Sequence, residues 1–261
     1  MDLERLRSLA GRYPSIDVVP RADSTNASLV AAAAGGAVDR TVLIAEEQTA
    51  GQGRRSRTWV SPAGTGLYLS VLLRPPVPAA RFSWLTLLAG LALVRTAREA
   101  GVEAVLKWPN DLLLGPDRRK GAGILAEVTQ GAVVLGIGLN VRPLPDDVPL
   151  GPGRLAPTSL AEAGAGDVDL TDVAVRVLTE LADLEDTWRA AGGDPAAGGI
   201  HEEYTGCCAT IGQRVRVELP GGTVTGTAAG VDPSGALLLR TDDGAEQLIS
   251  AGDVVHLRPA H

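Results

Sequence analysis

An α+β fold is predicted for this 261-residue chain: a mixed β-sheet flanked by helices, then a small all-β barrel. Three observations predict it. Four strand candidates, "VEAVLKWP", "DLLLG", "AGILAEV" and "AVVLGIGLNV", succeed one another across tight turns, which favours a mixed or antiparallel sheet over strict βαβ alternation. Two long helical stretches, 80–100 and 169–191, flank that run. After about residue 209 short strands alternate with Gly-Gly, Pro-Ser-Gly and Asp-Asp-Gly turns, the pattern of a small barrel.

The elements follow in order. Residues 2–11 are charged and helix-like, with no signal-peptide core. "DSTNASLVAAAA" sets polar residues before a helix-forming run, with Ser24 or Asp23 as N-cap. "TVLIAEEQ" is a buried strand with a polar end. A Gly/Arg segment, "GQGRRSRTW", follows as a loop ending at "VSPAGTG". "LYLSVLLRP" is a strand stopped by Pro75 and Pro76, and the apolar helix 80–100 is closed by Gly101. In the second long helix Leu170, Val173, Val177, Leu181, Leu184 and Trp188 keep helical spacing, and "GGDPAAGG" then breaks the chain. No repeat of 20–50 residues is present.

Composition narrows the function. The net charge of −7 opposes a protein that wraps nucleic acid, yet leaves room for a local basic site. No apolar run reaches membrane-spanning length, so a cytoplasmic location is expected. Cys207 and Cys208 are adjacent, which suits buried thiols in a reducing compartment and neither a metal site nor a structural disulfide. Of the 24 Lys and Arg residues, only Lys107 and Lys120 are lysines, and the only asparagines are Asn26, Asn110 and Asn140. A compact ammonium is not reproduced by a planar guanidinium, so the surviving lysines mark places where Arg cannot substitute.

Several motifs are excluded. G-x-x-x-x-G-K-[ST] is absent, "GQGRRS" lacks the third Gly of a dinucleotide fingerprint, and "GIGLNV" lies inside a strand. There is no H-E-x-x-H and no G-x-S-x-G. His201, His256 and His261 fall late in the chain, as surface or packing residues. What remains is a set of polar segments at strand ends, where open sheets form ligand crevices.

"DSTN", "EEQTAGQGRRSRTW", "KWPNDLLL", "KGAGILAE" and "GIGLNV", in that order, resemble the biotin protein ligases over nearly the whole chain. The likeness includes a terminal barrel ending "GDVVHLRP", but no N-terminal winged helix. It implies a catalytic domain of the class II aminoacyl-tRNA synthetase and biotinyl-lipoyl ligase type over 1–206, and an SH3-like barrel over 207–261. It also implies biotin activation by ATP and Mg²⁺ to biotinyl-5′-AMP and pyrophosphate. The biotinyl group then passes to a lysine in the biotin carboxyl carrier domain of an acyl-CoA carboxylase.

By this resemblance Lys120 lies between the biotin carboxylate and the α-phosphate, where positive charge screens one anion attacking another. Arg54 holds the adenylate, and Asp111 orients the acceptor lysine or the metal-bound nucleotide. Ser24, Thr25 and Asn26 lie where the family holds the ureido ring, though "STN" also suits a helix cap. Gln48 offers the donor and acceptor an uncharged ureido group requires. Gln52 and Gly53 join this biotin set. Glycines Gly51 and Gly53 let backbone N–H groups approach phosphate, with Arg55 adding guanidinium contacts. Lys107, Asn110, Asn140 and Arg258 complete the nucleotide set, Lys107 being in part structural. Trp59 and Trp108 are flat walls for adenine and the thiophane ring, or core residues. Gln52 stands where the family often has Arg, and Ser56 where it often has Gly, so no cationic role passes to position 52. No protein metal site is expected.

Two other classes compete. A lipoate ligase or octanoyltransferase shares the architecture but not "KWPND" or the Gly/Arg loop. A biotin-responsive DNA-binding repressor is opposed by the missing winged helix and the acidity, so no DNA or membrane partner is expected. A monomer or weak homodimer is the expected state.

Overall fold

The long apolar runs become central strands because both their faces are covered. In the computed structural model, which describes residues 1–9, 11–145, 148–150, 155–219, 221–250 and 252–257, the first sheet has seven strands. They are β1 (Ser15–Val19), β2 (Thr41–Ala45), β5 (Gly66–Leu73), β6 (Ala104–Lys107), β7 (Asp111–Leu114), β8 (Arg119–Thr129) and β9 (Ala132–Asn140). Their order is β1-β2-β5-β9-β8-β7-β6. Only β1 and β2 run parallel; the other neighbours are antiparallel. The predicted mixed sheet is therefore present. Between β2 and β5 the Gly/Arg segment forms a small hairpin, β3 (Gln52–Gly53) and β4 (Arg57–Thr58).

Every residue of β5 is buried, since it lies in mid-sheet. Alternate side chains serve opposite faces. Leu67, Leu69, Val71 and Leu73 join the main core with α3 (Ser83–Glu99) and α4 (Leu170–Ala190), whereas Leu72 packs under α2 (Thr25–Ala34). Each such buried Leu contributes about 1.5–3 kcal/mol. Ser24 is the N-cap of α2. The short N-terminal helix α1 covers Leu3–Arg7 and sets Leu6 in the core.

Besides the hairpin strands β3 and β4, where a loop was expected, β1 and a fifth helix, α5 (Ile200–Cys207), directly after the Gly-rich break, escaped the sequence patterns. The C-terminal strands β10 (Arg214–Leu219), β11 (Gly222–Val231), β12 (Leu237–Thr241), β13 (Glu246–Ile249) and β14 (Asp253–His256) form an antiparallel sheet. Its order is β13-β12-β11-β10-β14, and its edge strands do not pair with each other among the described residues. It is docked on the first sheet through Trp108, whose backbone N–H donates to Thr210 Oγ1 at 3.0 Å and whose indole donates to the Gly235 carbonyl at 3.0 Å. Among the described residues, no helix is long and apolar enough to cross a membrane.

Candidate active site

A cleft of about 510 Å³ opens between the first sheet, the N-terminus of α2, the Gly/Arg hairpin and β14. The α2 end is a polar network. Ser24 Oγ accepts from the Ala27 backbone N–H at 3.4 Å, the capping role. The Thr25 N–H and hydroxyl donate to Gln48 Oε1 at 2.9 and 3.2 Å, and Gln48 Nε2 donates to Ser61 Oγ at 3.1 Å. Asn26 accepts from Ser70 at 2.6 Å and donates to the Leu125 carbonyl at 3.2 Å and the Glu127 carboxylate at 2.8 Å. A Cβ on Gly136 would collide with the Asn26 amide, so only glycine leaves room there. Ser24, Thr25, Asn26 and Gln48 all line the cleft, so cap and pocket coexist. Ser70 and Glu127 support Asn26 from strands distant in sequence.

The "KWPND" turn joins β6 to β7 through a cis Trp108–Pro109 bond. It sets Asp111, 5% exposed, opposite both lysines. Lys120 Nζ lies 2.6 Å from Asp111 Oδ1, and Lys107 Nζ lies 3.5 Å from Oδ2. Burial opposes ionisation of Asp111, but the two ammonium groups outweigh it and hold the carboxyl below its ordinary range. Lys107, equally buried, is pushed down by burial and by Lys120, against the pull of Asp111. Behind it His256 is held down to about 4 by burial and then by Lys107 and Arg118, so it is neutral near pH 7.

Trp59 lies flat on the cleft floor. Its indole nitrogen rests against Gly138, where a side chain would collide, and finds no hydrogen-bond partner among the described residues. Lys120 Nζ stands 5.5 Å from the Trp59 ring centroid, within cation–π range. Arg54 reaches the cleft from the hairpin and, among the described residues, its guanidinium makes one hydrogen bond, donated to Asn110 Oδ1 at 3.4 Å. Burial lowers its pKa against the attraction of Asp253 and Asp111. Asn110 and Asn140 line the cleft and are fixed by donating to the Ile124 and Thr158 carbonyls, each at 2.9 Å. Gln52 and Gly53 line it too.

Three of the residues considered do not line the cleft, and a fourth lies outside the described residues. Trp108 is core, bound to the C-terminal sheet. Gly51 packs behind the hairpin, where a Cβ would sit 2.6 Å from the Trp59 carbonyl oxygen. Arg55 does not line the cleft and instead reaches Asp253 at its rim and the Glu218 carbonyl. Arg258 lies outside the described residues. Asp253 was not visible as a site residue, because its partners lie nearly two hundred positions earlier in the chain.

The cleft thus presents to an anion an ammonium and a guanidinium that has no carboxylate partner among the described residues, beside a neutral hydrogen-bonding pocket. That arrangement suits an acid bearing an uncharged polar head. The class follows from the fold and site together: residues 18–143 match the Biotin/lipoate A/B protein ligase family, and residues 210–257 match the Biotin protein ligase C terminal domain. A biotin--[acetyl-CoA-carboxylase] ligase of Mycobacterium tuberculosis is 44% identical over 98% of this chain and 94% of its own length. The bifunctional ligase/repressor BirA of Bacillus subtilis is 35% identical over 82% of this chain and 66% of its own length. A solved structure, the Aquifex aeolicus biotin protein ligase in complex with biotin and ATP, is 25% identical with a TM-score of 0.75. That match covers 94% of this chain and 100% of the other. This chain belongs to the biotin protein ligase family.

Proposed function

We propose that this protein is an ATP-dependent biotin protein ligase acting on a biotin carboxyl carrier domain. The observation that carries it is the placing of Lys120 and Arg54 on one cleft beside the Thr25–Asn26–Gln48 network. Biotin's ureido head meets that network, and its carboxylate extends towards Lys120. ATP lies along the Gly/Arg hairpin. The biotin carboxylate attacks the α-phosphate, giving biotinyl-5′-AMP and releasing pyrophosphate. Lys120 leaves Asp111 to bridge the two reacting anions, while Lys107 stays to neutralise Asp111. Arg54 holds the adenylate.

In the second step a carrier lysine attacks the acyl carbon and AMP departs. Asp111, the fixed anion beside that carbon, orients the incoming amine. Magnesium enters as part of the nucleotide substrate. No group of three His, Cys, Asp or Glu able to hold a metal occurs among the described residues. The cleft's Asp111 and Asp253 already serve cations. Mg²⁺ commonly binds through substrate phosphates with few protein ligands, so this donor set fits MgATP. Residues 1–206 form the activating unit, and 207–261 close the cleft through β14.

Incubation with biotin, ATP, Mg²⁺ and a carrier domain should add one biotinyl mass to that domain. Its absence, together with no biotin-dependent ATP–pyrophosphate exchange, would sink this function.

A further inference from the structure

The hairpin over the cleft is held from outside. Arg55 and Ser56 at its tip both have left-handed backbones, φ 55° and 56°, and neither is glycine. Local preference therefore does not hold the tip in place. Asp253 on β14 does: 7% exposed, it receives Arg55 Nη1 on Oδ2 at 3.1 Å and Arg57 Nη2 on the same oxygen. Arg55 also donates to the Glu218 carbonyl at 2.7 Å. Arg54 sits between these contacts and Gly53, so its position over the cleft depends on them. Without the carboxylate two guanidiniums converge on one point with no anion between them.

We propose that Asp253 is a positioning residue for the hairpin: it clasps Arg55 and Arg57, fixes Arg54, and sets how long the activated intermediate stays in the cleft. The proposal rests on the ligase function above. Asp253 takes no part in bond making; it acts through the loop. Because Arg55 and Arg57 are each more than one third exposed, solvent screens the pairs and the effect is moderate.

The test loads wild type, Asp253→Asn, Asp253→Glu, Arg55→Gln and the Asp253→Asn/Arg55→Gln double variant with biotin and MgATP, without carrier. Escape of biotinyl-5′-AMP is read by biotinylation of a bystander protein and divided by the rate of pyrophosphate exchange. Asp253→Asn should raise that ratio about five-fold, as expected for a screened charge-assisted pair. Asp253→Glu should restore most of the retention. Arg55→Gln should raise the ratio about two-fold, and the double variant should be no worse than Asp253→Asn, since both remove one contact. Arg55 is a surface residue outside the cleft lining, so its variant reads the contact even if Asp253→Asn fails to fold. Unchanged or tighter retention, or additive effects, would overturn the clasp. Loss of exchange in the wild type would sink the ligase function and the clasp with it; exchange with unaltered release sinks the clasp alone.

Discussion

Asp111 and Glu185 are two of the buried carboxylates that pair with two cations each, and they are built differently. Asp111, in the cleft, faces two lysines. Glu185, on α4 at the far side of the first sheet, is 1% exposed and faces two arginines. Arg40 donates to its Oε2 through Nε at 2.9 Å and Nη2 at 2.6 Å, while Arg189 Nε donates to Oε1 at 2.6 Å. Arg189 is in turn forked onto Asp39 at 2.6 and 2.9 Å. At Glu185 burial wins and raises the carboxyl pKa against both guanidiniums; at Asp111 the ammonium groups win. The guanidinium forks make a fixed joint between α4 and the turn before β2. The lysines offer point charges that can change partner without a change of backbone. A scaffold joint should resist exchange, and a reacting site requires it.

The comparison can be broken by mutation. Lys120→Ala should slow biotin-dependent pyrophosphate exchange by about a thousand-fold, the scale of losing a charge aimed at a transition state. The far-ultraviolet circular dichroism should match wild type. Exchange within ten-fold of wild type would remove Lys120 from the reaction.

Asp111→Asn should destabilise the fold by about 3 kcal/mol near pH 7, because two buried ammonium groups lose their anion. The folded-state pKa of Asp111 is depressed, so its contribution is full above the unfolded-state value and is lost as pH falls through the folded one. Urea melts of wild type and variant should therefore stay separated from pH 7 down to about 4 and converge only below that. Convergence already at pH 6 would contradict the ionised carboxylate.

Glu185→Gln should have the smallest effect, about 1 kcal/mol, since Arg40 and Arg189 keep Asp186 and Asp39 as anionic partners and the amide oxygen still accepts a hydrogen bond. Its Tm should drop by about 2–4 °C with pyrophosphate exchange unaltered. A loss as large as that of Asp111→Asn would erase the distinction between joint and site.

Much of this was legible where chemistry and sequence coincide. The turn "KWPND" and the lysine before "GAGILAE" each carry their residues on neighbouring strands, so local pattern and site agree. The Ser24 cap precedes a helix-forming run and is read the same way. Asp253 was missed for a physical reason: its role exists only once β14 closes on the hairpin, and no local pattern encodes that meeting. Ser70 sits inside an apolar strand where its hydroxyl has no neighbour in sequence to reveal it. The strand β1 buries only Ile16 and exposes Asp17, so it lacks the apolar run that reveals β2, and α5 begins amid glycines, where no helical period has room to show. Arg55 looked like a phosphate ligand because three arginines in one loop cannot be ranked without knowing which way each one points.

The scarcity of lysine carries one last consequence. Both lysines of the entire chain are inside the cleft, Lys107 buried and Lys120 nearly so. An activated acyl-adenylate that drifts away is attacked by exposed amines, which take the acyl group as AMP leaves, and this surface offers no lysine side chain to do so. The arginines that cover the rest of the molecule stay protonated and unreactive. The catalyst is thereby shielded from its own reagent, and an acyl group that escapes is left to water or to another protein.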